Sequence, residues 1–179
     1  MNTSRERHLV ELVDAEGAAI GTATVAQAHA EPGALHRAFS VLLFDEAGHT
    51  LLQQRSAAKT RFALRWANAC CGHPEPGEDV VVAARRRLAQ ELGVRDVSLT
   101  DSGVYTYRAV DASNGRVEHE YDHVLVGRVG PGLVLAPDPG EVAGTRWSAG
   151  TDLLGKVAAE SYAPWLAGVL SVALASMDM

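Results

Sequence analysis

Cysteine is scarce in this 179-residue chain: there are two, and they are neighbours, Cys70 and Cys71. With no other thiol to pair with, they exclude a disulfide framework and a four-sulfur zinc site, and both are expected to be reduced. Long apolar runs are also missing, since charge or glycine interrupts every hydrophobic segment before the roughly eighteen residues that a membrane span needs. Nor is there a run of lysine or arginine. The sixteen basic residues are scattered through a chain of net charge −6, which argues against DNA or RNA as a partner. The opening MNTSRERHLVELVD is charged where a secretory signal would be apolar, so a cytoplasmic location is expected. Repeats, linkers and low-complexity tracts are absent. A composition of 47% apolar and 21% charged residues predicts a single globular domain over residues 1–179, long enough to bury a core unaided. Oligomeric state is left open, a monomer included.

Period-two alternation in HLVELVD and AAIGTATV, around the turn signal DAEG, predicts an opening pair of strands, and His29 and His36 follow in an expected loop. AFSVLLF and TLLQQRS flank DEAGH as strand, turn and strand. Pro74, Pro76 and Gly77 break the chain before the first expected helix, where Val81, Ala84, Leu88 and Leu92 share a face and Gly93 stands at the C-terminal stop. VYTYRAV and VEHEYDHVLVGRV read as a hairpin around Asn114-Gly115. TRWSAG ends the strands, and residues 151–176, interrupted by Pro164, read as two C-terminal helices. The fold class is therefore α+β, a mixed sheet with few helices.

Several residue types carry chemistry. His29, His36 and His73 come from separate parts of the chain, and Glu118 and Glu120 point to one face of a strand. Three imidazoles and two carboxylates suit zinc or manganese, although a lone loop histidine is more often a surface residue. From Gly72 the chain runs through Glu78, Arg86, Leu88, Glu91, Gly93 and Val94 at the spacing of the Nudix box, a loop and helix whose acids hold divalent cations against a diphosphate. The hydrolase form of that box has a glutamate after the arginine and then a glutamate pair. Here those positions hold Arg87, Gln90 and Glu91. Glu91 is thus the natural single ligand for one magnesium, which takes one or two carboxylates plus substrate phosphates. Taken alone, Arg87 and Glu91 read equally well as a solvated i,i+4 pair.

ALHRAFSVLLF, NACCGHP, YRA, VEHE and APW, in this order, resemble type I isopentenyl diphosphate isomerase, a Nudix-fold enzyme of isoprenoid synthesis, from about residue 8 to 170. The resemblance implies a Nudix-like mixed sheet flanked by the Nudix helix and the C-terminal helices. It also implies interconversion of isopentenyl and dimethylallyl diphosphate, in which a proton is added at C4 and another removed at C2 through a tertiary cation at C3. Such a reaction calls for acid and base on opposite sides of a dry pocket. By resemblance Cys71 and Glu120 are those groups, Tyr107 assists Glu120, and Trp165 lends its aromatic face to the cation, worth roughly 2 kcal/mol when desolvated. His29, His36, His73, Glu118 and Glu120 become ligands of one zinc or manganese, Glu91 of magnesium, and Arg55, Lys59 and Arg87 contacts of the diphosphate. Cys70 is left to core packing, and His8, His49, His119 and His123 match no family position.

The chain departs from the family pattern at Val25, where a diphosphate-binding lysine is usual, and at Phe62-Ala63 in place of Trp-Pro, with Trp66 and Asn68 kept. Weaker substrate binding or a shifted prenyl preference is the expected consequence. A Nudix diphosphohydrolase acting on a nucleotide or prenyl diphosphate is the competing reading, opposed by Arg87 and Gln90. A non-catalytic zinc-binding or ligand-sensing protein is a third, opposed by Cys71, Glu120 and Tyr107.

Overall fold

A computed structural model describes residues 5–157 and 161–177. β1 (Leu9–Val13) and β2 (Ala19–Thr24) form the expected antiparallel pair. Asp14 closes their turn by accepting the amides of Glu16 and Ala18 at 3.1 and 2.8 Å. The loop expected next is more ordered than the sequence suggests. Thr24 and Gln27 form a reciprocal capping box that starts a one-turn helix, α1 (Val25–Ala28), so His29 is its C-cap, and His36 is the first residue of β3 (His36–Phe44). A capping threonine and its glutamine start this turn of helix, and residues 29–35, with Pro32 and Gly33, remain a loop.

β3 is buried along almost its whole length, as its unbroken apolar run requires of a central strand. β4 (His49–Arg55) follows it in sequence, but the two pair only at Phe44↔Thr50 before diverging. The expected strand, turn and strand are all present, but the two strands part after that single register pair. β6 (Cys70–Gly72) takes the place beside Phe39–Val41, while β4 pairs with β5 (Trp66–Ala67) and β9 (Val142–Ala149). On its other edge β3 runs parallel to β8 (Val117–Arg128), in register from His36↔Glu120 to Phe44↔Arg128. β7 (Leu99–Val110) pairs antiparallel with β8 through a six-residue connection, longer than a two-residue turn at Asn114-Gly115, with Gly115 at φ 72°. Among the described residues all nine strands belong to one mixed sheet.

Successive residues of β3 face opposite ways and separate two cores. Phe39, Val41 and Leu43 pack under α2 (Val80–Leu92) with Ala84, Leu88 and Leu92. Leu42 and Phe44 pack with Leu52 and Val124 under α4 (Leu166–Met177) and the five-residue α3 (Gly150–Leu154). Each such side chain contributes roughly 1.5–3 kcal/mol by leaving water. α2 is the expected helix: Asp79 accepts the amide of Val82 at 3.0 Å, and Gly93 ends the helix at φ 72°. The C-terminal pair is present too, though the first helix is short and residues 158–160 lie outside the described residues. No helix among the described residues is long and apolar enough to cross a membrane.

Candidate active site

One cavity of about 550 Å³ opens between the N-terminal turn, the loop after β4, the second half of α2 and residues of β6, β7 and β8. Cys71, His73, Arg55, Lys59, Arg87, Tyr107, Glu118, Glu120 and Trp165 all line it. Most of the cation, acid and aromatic residues expected from sequence are thus brought to one place, while His29, His36 and the fully buried Glu91 lie behind its wall.

At one end His29, His36, His73, Glu118 and Glu120 each offer a ligand atom, all within 4.8 Å of one another. Backbone geometry fixes the imidazoles. Nδ1 of His29 lies 2.7 Å from the Val25 carbonyl and Nδ1 of His36 lies 2.8 Å from that of Ala34, so Nδ1–H donates outward and each Nε2 turns its lone pair inward. Burial pushes His36 down to about 4 and His73 well below its ordinary value, so both are neutral, the form that ligates. The inward Nε2 atoms of His29 and His36 and Oε2 of Glu118 are buried without a well-formed hydrogen bond, although His29 Nε2 and Glu118 Oε2 stand 2.8 Å apart. Unsatisfied buried lone pairs of this kind, converging from three segments, fit a divalent metal ion. Burial would raise Glu118, but neighbouring positive charge, that of Arg61 at 3.0 Å included, outweighs it and holds the carboxylate well below its usual range. Glu120 goes the other way, raised first by burial and then by Glu118 and Asp122.

The proton-handling candidates flank β3. Cys71 is on β6, against Ser40 of β3, and Glu120 is on β8, against His36. Burial, then the neighbouring Asp122, pushes the Cys71 thiol up to about 12, so it keeps its proton. Its S–H donates to Oδ1 of Asn68 at 3.2 Å, and the same oxygen accepts Nε1–H of Trp165 at 3.1 Å. The carbonyls of Val41 and Cys70 hold the Asn68 amide by its other end, at 3.2 and 2.9 Å. Thiol and indole are thereby aligned by one side chain. Across the cavity Tyr107 donates to Oε2 of Glu120 at 2.7 Å, and burial raises its phenol well above the ordinary value. The Tyr107 and Trp165 rings lie 5.9 Å apart.

At the other end, Arg55 lies with its guanidinium carbon 5.4 Å from the Trp165 ring centre and donates to the carbonyls of Arg61 and Phe62. Lys59 reaches Glu91 at 3.2 Å and also Glu141, and Arg87 pairs with Glu91. The i,i+4 pair is therefore real but not solvated. Glu91 is fully buried, and Gln53 donates to its second oxygen at 3.0 Å. Lys59 and Arg87 overcome its burial and keep its carboxyl below the usual range. Val25 lies on the same cavity wall, packed with Val10 and Ala28. Glu78, the other box acid, is tied to Arg86 at 2.8 Å and to the Glu75 amide, and so shapes the loop entering α2.

Sequence reasoning missed six residues here. Arg61 bridges Glu118 at 3.0 Å to Glu6 at 3.0 Å, Glu141 and Arg5 join the cation cluster, and Ser40 links the thiol side to Asp122, which it reaches at 2.7 Å. Asp122, raised by burial to about 8, was detectable: it continues the same-face alternation of Glu118 and Glu120. Arg61, Glu141 and Arg5 had no such signal, being placed by loops.

The family model described as NUDIX domain matches residues 34–169. Solved structures agree on the fold: DR0079 from Deinococcus radiodurans superposes with a TM-score of 0.73 at 19% identity, covering 92% of this chain and 98% of that one. A C. elegans Ap4A hydrolase gives 0.58 at 17% identity, covering 79% and 97%. The class is thus a NUDIX-domain protein. The Isopentenyl-diphosphate Delta-isomerase of Nocardia farcinica is 59% identical over 92% of this chain and 93% of that protein, and that of Streptomyces coelicolor is 46% identical over 96% and 86%. The chain belongs to the isopentenyl-diphosphate Delta-isomerase family.

Proposed function

We propose that this chain interconverts isopentenyl diphosphate and dimethylallyl diphosphate by protonation and deprotonation, with Cys71 as acid and Glu120, assisted by Tyr107, as base. The observation that carries this reading is the opposition of a protonated thiol and a carboxylate–phenol pair across β3, in one cavity with Trp165. A neutral thiol gives its proton to C4, the tertiary cation forms beside the indole, and Glu120 removes the proton from C2. Asn68 keeps donor and indole in fixed relation, so the cation forms where the ring's negative face can stabilise it. The apolar wall around Cys71 and Trp165 excludes the water that would trap the cation. His29, His36, His73, Glu118 and Glu120 would hold one zinc or manganese, and Glu91 a magnesium. When bound, the first would supply positive charge that favours ionised Glu120, and the second would neutralise diphosphate charge. Arg55, Lys59 and Arg87 hold the diphosphate, and a cation at position 87, where a hydrolase has an acid, suits an enzyme that leaves the diphosphate intact.

Purified protein with isopentenyl diphosphate and magnesium, followed by NMR of the olefin signals and by a phosphate assay, tests this directly. New dimethylallyl signals without stoichiometric phosphate are expected. Phosphate without new olefin would replace the isomerase by the diphosphohydrolase.

A further inference from the structure

The N-terminal 3₁₀ turn, Arg5–Arg7, belongs to none of the motifs, yet Arg5 and Glu6 form part of the cavity wall. It is pinned at two points. Glu6 accepts from Thr60 at 2.9 Å and from Arg61 at 3.0 Å, and Arg5 pairs with Glu141. Glu141 is buried, and it is also the partner of Lys59 and stands 3.5 Å from Arg87. Cations from three separate segments, the N-terminal turn, the loop after β4 and α2, therefore converge on one carboxylate at the cavity wall. Among the described residues, Glu141 and Glu91 are the carboxylates within ion-pair distance of Arg5, Lys59 and Arg87, so three positive charges meet two negative ones at this point of the wall and leave it locally attractive to an anion. α1, which packs under the turn through the Val25 amide and the His8 carbonyl at 2.8 Å, offers only the apolar Val25 to this wall. About a third of the Arg5 side chain is open to solvent, so it has N–H groups to spare.

We propose that Arg5 is a diphosphate-binding residue. Its guanidinium exchanges Glu141 for phosphate oxygens, which match its fork of donors, and Glu141 is the counter-ion that keeps Arg5, Lys59 and Arg87 gathered until the anion arrives. This rests on reading the cavity as a prenyl diphosphate site.

The test titrates the protein as purified, without added magnesium, with inorganic pyrophosphate by calorimetry, alongside kinetics on isopentenyl diphosphate. Arg5→Gln should weaken pyrophosphate binding by about tenfold, as the loss of one charge-assisted contact predicts, and raise KM more than it lowers kcat. Arg5→Lys should recover part of both, and the gap between wild type and Arg5→Gln should narrow at high salt. A residue that merely propped up the turn would lower Tm without giving this salt-dependent difference. Glu141→Gln should tighten pyrophosphate, because the amide oxygen still accepts from the gathered cations while the charge that competes with phosphate is gone; weaker binding would overturn its role as counter-ion. Equal affinity in wild type and Arg5→Gln would overturn the proposal, even if the wild type isomerises its substrate. Arg5-dependent pyrophosphate binding with no dimethylallyl product would do the reverse, leaving the anion site in place and removing the isomerase reading.

Discussion

Cys71 shows how surroundings assign a role to a side chain. A reactive nucleophilic cysteine needs a depressed pKa, whereas burial and Asp122 drive this one up to about 12, which preserves the proton that an acid must give. Cys71→Ser should therefore lower isomerisation by about a hundredfold or more, in line with the loss of a general acid, and leave metal content unchanged. Olefin NMR and metal analysis of the same preparation check this; loss of the metal along with activity would make the thiol a ligand. Asn68→Ala should act more mildly on Cys71 and Trp165 together, because the amide touches both at 3.2 and 3.1 Å. The sequence made Cys71, Glu120 and the three imidazoles visible because each stands in a short motif. Arg61 and Glu141 stayed hidden because a loop residue acquires partners only from the fold. Their contacts join positions 57 and 82 residues apart in sequence.

Elements position the site through a few tight contacts. Gly168 of α4 lies so close to β7 that an added Cβ would stand 2.1 Å from the ring of Tyr105, which stacks on Tyr107 at 5.6 Å. Gly168→Ala should cost about 1–3 kcal/mol as overpacking and also lower kcat, since the displaced Tyr105 ring pushes on the phenol that serves Glu120. Thermal melts and turnover together decide it: a fall in Tm with full activity would show that Tyr107 is held independently of α4. The loop after β4 depends on Asp111, which accepts the Phe62 amide at 2.6 Å and Ser113 at 2.7 and 3.0 Å, while Phe62 itself sits at φ 47°. Burial would raise Asp111, but these hydrogen bonds lower its pKa below the ordinary 3.8. With the folded value depressed, the contribution is present above pH about 3.8 and is lost as pH falls through the lower folded value. Asp111→Asn should cost about 1–3 kcal/mol at pH 7, and the gap in Tm from wild type should shrink below pH 4; a gap independent of pH would mean the amide replaces only the shape of the carboxylate. α2 and the opening strands were readable because period, cap and stop agree locally. α1 was missed because a four-residue helix shows no period, only a Thr24–Gln27 pair.

At the scale of the whole molecule, the features least readable from sequence are those that assemble the metal site. β3 runs parallel to β8 with paired residues 84 apart in sequence, a pairing no local pattern announces, while its chain neighbour β4 touches it at one register pair. That pairing sets His36 beside Glu120; α1 brings His29, and the exit of β6 brings His73. A metal ion held by all five would therefore cross-link four segments between residues 29 and 120, and would stabilise the folded chain by mass action, because the unfolded chain has no such site. At about a thousandfold excess over Kd that linkage is worth roughly 4 kcal/mol, or a shift of about 10 °C for a chain of this length. Metal analysis of the protein without substrate should find about one transition metal per chain and almost no magnesium, since three imidazoles select the former and one carboxylate is too few ligands for the latter. A chelator should lower Tm by that shift in wild type and in Glu91→Gln alike, and should do nothing to His73→Ala, which has already lost the cross-link. Activity should fall in both variants for different reasons, and only in Glu91→Gln should it fall with the tight metal still bound. If Glu91→Gln abolished the chelator response instead, the tightly held ion would belong to the α2 side of the cavity, and the five converging ligands would need another explanation.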